Sequence, residues 1–196
     1  MFHQKAIATF FIIYFGIVSA VAGQDYKNNR FLNNLHFGME VQWYPAGWLI
    51  GPAVMYSYRP KHIFFTKLGV NIADRHNWSG LNDNEEGIGY GISLGYRYLF
   101  TTKPGTFFIG TRGELYNTIV DWKNDIGLIN QTNGSTKIIV YQPSIEIGYL
   151  IKKRNKKWSA VVSAGVGAEI NIITKGKPVG QGGMYLASIA VYRSLN

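Results

Sequence analysis

The chain has 196 residues, with 20 Lys and Arg against 11 Asp and Glu, a formal net charge of +9 and no cysteine. That length suits one domain, and the lack of cysteine excludes a disulfide scaffold, a Cys-ligated zinc site and thiol catalysis together. Charged residues make up 16%, aromatics 15%, and glycines number 23; this mixture excludes disorder and suits β-structure with many small residues.

The first element is a leader. Lys5, the apolar run Ala6–Val18 and the small residues Ser19, Ala20, Ala22 and Gly23 read as a signal peptide over residues 1–23, cleaved after Ala22 or Gly23. The run is short for a spanning helix, which needs about 20 apolar residues. No cysteine follows it to carry a lipid anchor. Residues 24–34 are a short N-terminal segment, and residues 35–196 form the remaining unit. Nothing after residue 23 approaches 18 continuous apolar residues, so export leaves a secreted soluble protein or a membrane β-barrel. Strands of the latter alternate in hydropathy rather than run.

From Leu35 the chain alternates. Leu35, Phe37, Met39, Val41 and Trp43 interleave with His36, Gly38, Glu40 and Gln42. Trp48, Ile50, Val54 and Tyr56 interleave with Gly51, Ala53 and Met55, and Phe64, Leu68, Val70 and Ile72 with Lys67, Gly69 and Asn71. The clearest segment follows, with Ile88, Tyr90, Ile92, Leu94, Tyr96, Tyr98 and Phe100 against Gly89, Gly91, Ser93, Gly95 and Arg97; Leu99 alone breaks the pattern. Phe107, Ile109 and Leu115 then face away from Gly110, Arg112 and Glu114. Ile145, Ile147 and Tyr149 face away from Ser144, Glu146 and Gly148, and Val162, Val166 and Ile170 from Ser163, Gly165 and Glu169. Met184–Leu195 is β-rich with its facing undecided.

Period 2 puts one set on each face of a strand. A soluble sandwich would turn its large residues inward and a charged, hydrated face outward. Here the second face is mostly glycine and serine with single charges, which suits a crowded polar barrel interior. Eight segments of about ten or more residues can each cross a bilayer when tilted. Arg59–His62, Thr101–Gly105 and Lys152–Lys157 are short turns. Asp74–Gly87, Val120–Thr136 and Thr174–Gly183 are longer and polar, with Pro45–Gly47 a short exception. Aromatics gather near segment ends, as interfacial girdles do. Pro52 and Pro143 fall inside segments and predict bulges, since proline removes a ladder donor.

The run Gly89–Tyr98 (Gly-Tyr-Gly-Ile-Ser-Leu-Gly-Tyr-Arg-Tyr) and the repeated glycine–aromatic strands resemble the small eight-stranded outer-membrane β-barrels, the OmpA/OmpX-like and OmpW-like group of Gram-negative bacteria. The likeness is one of architecture over residues 35–196; the chain ends Leu195-Asn196 rather than on the aromatic usual there. The resemblance implies an all-β, antiparallel up-and-down transmembrane β-barrel placed in the bacterial outer membrane; a monomer is the separate expectation for its assembly.

The expected interior charges are Glu40, Lys67, Arg97, Arg112, Glu114, Glu146 and Glu169, three cations against four anions. Eight strands leave an interior just wide enough for side chains. The expectation is therefore an ion-pair plug with Arg97 and Arg112 as bidentate hubs for the glutamates, no large open pore, and a structural or surface-interaction role. Outer-membrane lipid is the expected surrounding partner, and loops 74–87 and 120–136 are the candidate contact surface for an extracellular partner. The alternatives are a lipid-modifying enzyme and a soluble lipocalin-like binder.

No catalytic residue, cofactor or metal site is expected. His36, His62 and His76 are scattered, none has a serine two positions along its strand, and no H-x-x-x-H spacing exists. Asn82–Glu86 is acidic but lacks the order of a calcium loop, and Gly176–Gly183 lacks the Gly-Lys-Ser/Thr of a phosphate cradle. The basic run Lys152–Lys157 would suggest nucleic acid, yet export argues against that and favours anionic lipid head groups.

Overall fold

A computed structural model describes residues 34–76, 81–102, 105–152 and 157–194. The predicted signal peptide, nearly all of the 24–34 segment and the middle of the basic run lie outside these residues. Eight strands follow in order, namely β1 (Leu35–Tyr44), β2 (Gly47–Arg59), β3 (His62–His76), β4 (Asn84–Leu99), β5 (Thr106–Asn124), β6 (Thr132–Lys152), β7 (Trp158–Lys175) and β8 (Gly182–Ser194). Each pairs antiparallel with the next, and β8 closes onto β1. Closure removes the exposed ladder edges that would otherwise template aggregation.

The register fixes the tilt. His36 pairs with Met55, which leads through Phe65, Gly95, Arg112, Ser144 and Gly167 to Met184. Met184 does not return beside His36. It lies past the far end of β1, where Trp43 meets Ala187. A ring that climbs this far in one circuit has strongly inclined strands.

Facing follows the alternation. On β4, Ile88, Tyr90, Ile92 and Leu94 are 55%, 53%, 39% and 59% exposed, whereas Ser93 and Arg97 are 0% and 1% exposed. The large residues therefore point out of the barrel and the small and charged ones into it. On β8, Met184, Leu186, Ser188, Ala190 and Tyr192 face inward, and Tyr185, Ile189 and Val191 outward. This settles the strand whose facing was undecided.

Two expectations change. The segments 74–87 and 120–136 are largely strand, because Asp74–His76 pairs with Asn84–Glu86 and Val120–Asn124 with Thr132–Thr136. Backbone pairing needs no contrast between faces, so it continues past the apolar belt where both faces are polar. The prolines do not bulge. Met39 stays opposite Pro52 and Gly113 opposite Pro143 without a register shift; the shifts fall at Ser57/Arg59 and Ile139/Val140. Pairing of Gly51 and Pro52 toward β3, and of Gln142 and Pro143 toward β7, is simply interrupted. A missing N–H costs one ladder bond, while the partner on the other side holds the register.

The interior is layered. At the short-turn end, Met55, Ile63, Phe65, Leu99, Phe108, Leu150, Val161 and Tyr192 form an apolar cluster. Leu99, out of pattern in the sequence, belongs to this layer. Glycines make room for its rings. A Cβ on Gly95 would stand 2.2 Å from the Phe65 ring, and one on Gly148 2.4 Å from the Phe108 ring. Above a charged middle lies a second cluster around Tyr44, Leu49, Tyr116, Met184 and Leu186. A third, with Val120, Ile138, Val140 and Val179, sits beneath the β7–β8 connection.

Candidate functional site

The charged middle layer is built from inward positions of β1, β3, β4, β5 and β6. Glu40, Lys67, Arg97, Arg112, Glu114 and Glu146 converge there, and all are essentially inaccessible to solvent. Lys67 Nζ lies 3.1 Å from Glu40 Oε1 and 3.2 Å from Glu114 Oε1. Arg112 donates from Nη1 to Glu40 and from Nη2 to Glu146 Oε2 at 2.9 Å. Arg97 Nε donates to Glu146 Oε1 at 2.7 Å, and its Nη2 stands 3.7 Å from Glu40. Both arginines thus bridge two different carboxylates rather than fork onto one.

Neutral groups complete the layer. Gln42 donates to Glu114 Oε2 at 2.8 Å and accepts from Lys67 at 3.0 Å and from Arg112. Ser93 donates to Glu114 at 2.5 Å and Ser163 to Glu146 at 3.0 Å. The Arg97 guanidinium stacks 3.9 Å from the Phe65 ring centre, joining the charged layer to the apolar one below. Three cations meet three anions here. Burying an ion is costly unless it is paired and hydrogen-bonded; the balance of charge meets the first condition, while Arg97 Nη1 and Nη2, Arg112 Nε and Glu40 Oε2 are buried without a hydrogen-bond partner among the described residues.

Glu169 does not join this group. It lies nearer the mouth opposite the short turns, paired with Arg75 and accepting from Gln142 at 3.2 Å. Arg75 also reaches Glu85 at 3.2 Å and the Gly180 carbonyl at 2.6 Å. Glu85 accepts from Asn82 at 2.7 Å and from the Gly180 amide at 3.1 Å. Together these bonds hold the Gly176–Gln181 connection over the barrel mouth. Asn171 adds a bond to the Val179 carbonyl, and Val179 is buried. A small recess remains at the mouth, lined by Tyr44, Ala46, Arg75, Glu169, Gly180 and Met184.

Sequence reasoning missed Arg75 and Glu85 as interior residues, and put Gln42 on the inward face beside Glu40 without assigning it a partner. A signal existed. Continuing the odd-numbered inward parity of Lys67 and Asn71 reaches Arg75, and extending that of Gly89 back reaches Glu85. The expected loop boundary at Asp74 cut both off.

The histidines are separated. His36 is buried at the apolar end. His62 lies at the short-turn rim, with Nδ1 2.8 Å from Tyr96 Oη and its ring against Tyr98. Among the described residues no group of three His, Asp or Glu is placed to hold a metal ion. In the acidic 82–86 stretch the Glu85 carboxylate is already engaged by Arg75, Asn82 and Gly180.

Closure, antiparallel neighbours throughout and an inside-out distribution of large residues decide the architecture. By fold, this is a small eight-stranded up-and-down β-barrel. No family model and no curated protein matches the chain. Among solved structures it is similar to neisserial surface protein A, NspA, at 13% identity, covering 82% of this chain and 95% of that one with a TM-score of 0.49. It is also similar to the N-terminal β-barrel domain of Pseudomonas aeruginosa OprF, at 13% identity, covering 83% and 99% with a TM-score of 0.42.

Proposed function

We propose that this barrel is an integral protein of the bacterial outer membrane with a structural or surface-interaction role and a plugged interior. The carrying observation is the direction of its side chains. Leu94, Ile109, Ile145, Ile147, Val166 and Ile189 stand on the outer surface, each more than two-fifths exposed. A contiguous apolar belt of this extent on a soluble monomer would be an aggregation liability, whereas hydrocarbon is its natural solvent. The closed ladder satisfies the backbone without water, as a spanning structure must.

The soluble lipocalin-like alternative needs the opposite arrangement, an apolar interior around a ligand. Here the middle of the interior holds Glu40, Lys67, Arg97, Arg112, Glu114 and Glu146 in mutual contact. That supports a plug, because an ion entering would have to displace groups already paired at hydrogen-bond distance. Planar-bilayer recording of the purified protein tests it. The expected trace is quiet; large, steady channels would refute the plug while leaving the membrane assignment intact. Release of the native protein from membranes by alkaline washing would refute the membrane assignment itself.

A further inference from the structure

The two ends of the barrel carry opposite charge patterns. At the short-turn rim the described cations are Arg59, Lys61, Lys152, Lys157 and Arg193, and no Asp or Glu is found there among the described residues. The other end exposes Asp74, Asp83, Glu86, Asp121 and Asp125 beside Lys123, Lys137, Lys175 and Lys177. The middle of the barrel is internally balanced, so the excess positive charge of the described chain is gathered on one rim.

That rim is also aromatic, and its described strand ends lie side by side. Trp158 pairs with Arg193, and the Ser194 amide donates to the Lys157 carbonyl at 2.7 Å, which places three cationic strand ends side by side with Lys152 opposite Ser159. The turn carrying Arg59 and Lys61 is tied to β4 through the Leu99 amide and Lys61 carbonyl at 2.8 Å. Arg59 lies over Tyr58 and Arg193 over Trp158, at 5.2 Å and 5.7 Å from the ring centres. Tyr58, Phe100, Phe107 and Trp158 are more than half exposed beside them. Amphipathic rings settle at head-group level, and cations one step beyond them meet phosphate.

We infer that this rim selects anionic glycerophospholipid head groups, so that the leaflet it faces is enriched in them around the barrel. The inference rests on the membrane reading above and adds a lipid chemistry and an end of the molecule to it. Guanidinium groups match phosphate oxygens in a two-point contact, and lysines supplement them as point charges. The acidic far end offers no such surplus.

The test uses the protein refolded into phosphatidylcholine vesicles with trace spin-labelled phosphatidylglycerol or spin-labelled phosphatidylcholine. The motionally restricted fraction reports lipid at the barrel surface. Phosphatidylglycerol should be preferred by about threefold or more at low salt, and the preference should collapse toward parity in about 1 M salt. The combined variant R59Q/K61Q/K103Q/K152Q/K153Q/R154Q/K156Q/K157Q/R193Q, which removes every lysine and arginine of the three short turns together with Arg193, should abolish it, while K123Q/K137Q/K175Q should retain it. A restricted phosphatidylcholine signal from every variant shows that it is inserted. Parity in the unmodified protein, or a preference that survives the nine-site variant or disappears with the far-end variant, overturns the inference. Absence of a restricted component for either lipid would instead refute the membrane reading.

Discussion

Removing Glu146 should unbalance the middle layer in a way that a second substitution repairs. Its carboxylate accepts from Arg97 at 2.7 Å, from Arg112 at 2.9 Å and from Ser163 at 3.0 Å, with no solvent access. Glu146→Leu leaves three cations facing two anions, and stranding a buried charge costs about 3–5 kcal/mol. Arg97→Met alone leaves two cations facing three anions and should cost a similar amount, about 3–5 kcal/mol, although Glu146 keeps Arg112 and Ser163. In the double variant two cations face two anions again, and a methionine lies on Phe65. Its loss should be smaller than that of Glu146→Leu alone, giving a coupling of at least about 2 kcal/mol. Denaturant unfolding in lipid vesicles, followed by tryptophan fluorescence, measures all three. A cost below about 1 kcal/mol for Glu146→Leu, or strict additivity in the double variant, would refute the reasoning that charge balance holds this layer together.

Three further outcomes are expected. Leu94→Lys, on the outward face at mid-belt, should cost about 2–4 kcal/mol of stability in vesicles, and a neutral effect would count against lipid contact there. Gly148→Val should prevent formation of the compact band on unheated gels, because its Cβ would stand 2.4 Å from the Val162 carbonyl oxygen and from the Phe108 ring; Gly113→Ala, whose Cβ meets Tyr141 only at 3.6 Å, should leave that band unchanged. Arg75→Gln removes ties to Glu85, Glu169 and the Gly180 carbonyl, so hydrogen exchange at the Gly180 amide should quicken at least about tenfold, equivalent to 1.4 kcal/mol, with the Ser93 amide unchanged. Equal protection at Gly180 would mean that other bonds hold the connection down.

Fold class was legible because a strand's period is local. Ile88, Tyr90, Ile92 and Leu94 declare a face without reference to any other segment, and glycine, serine and arginine between them declare the other. Six of the seven interior charges expected from that parity meet in one layer. The apolar end of the interior was less visible, since Phe65, Leu99 and Phe108 look like errors of alternation when the inner face is taken as uniformly polar. The partnership of Arg75 with Glu169, 94 positions apart, could not be read at all from spacing.

What the amino-acid order determined alone was which residues share a face, since neighbours two apart along an extended chain point the same way whatever surrounds them. Only the closed ring decided which interior groups touch, because the inclined register lifts each strand against the last. Glu169 is thereby carried away from Arg97 and Arg112 and set beside Arg75, under the Gly180 carbonyl.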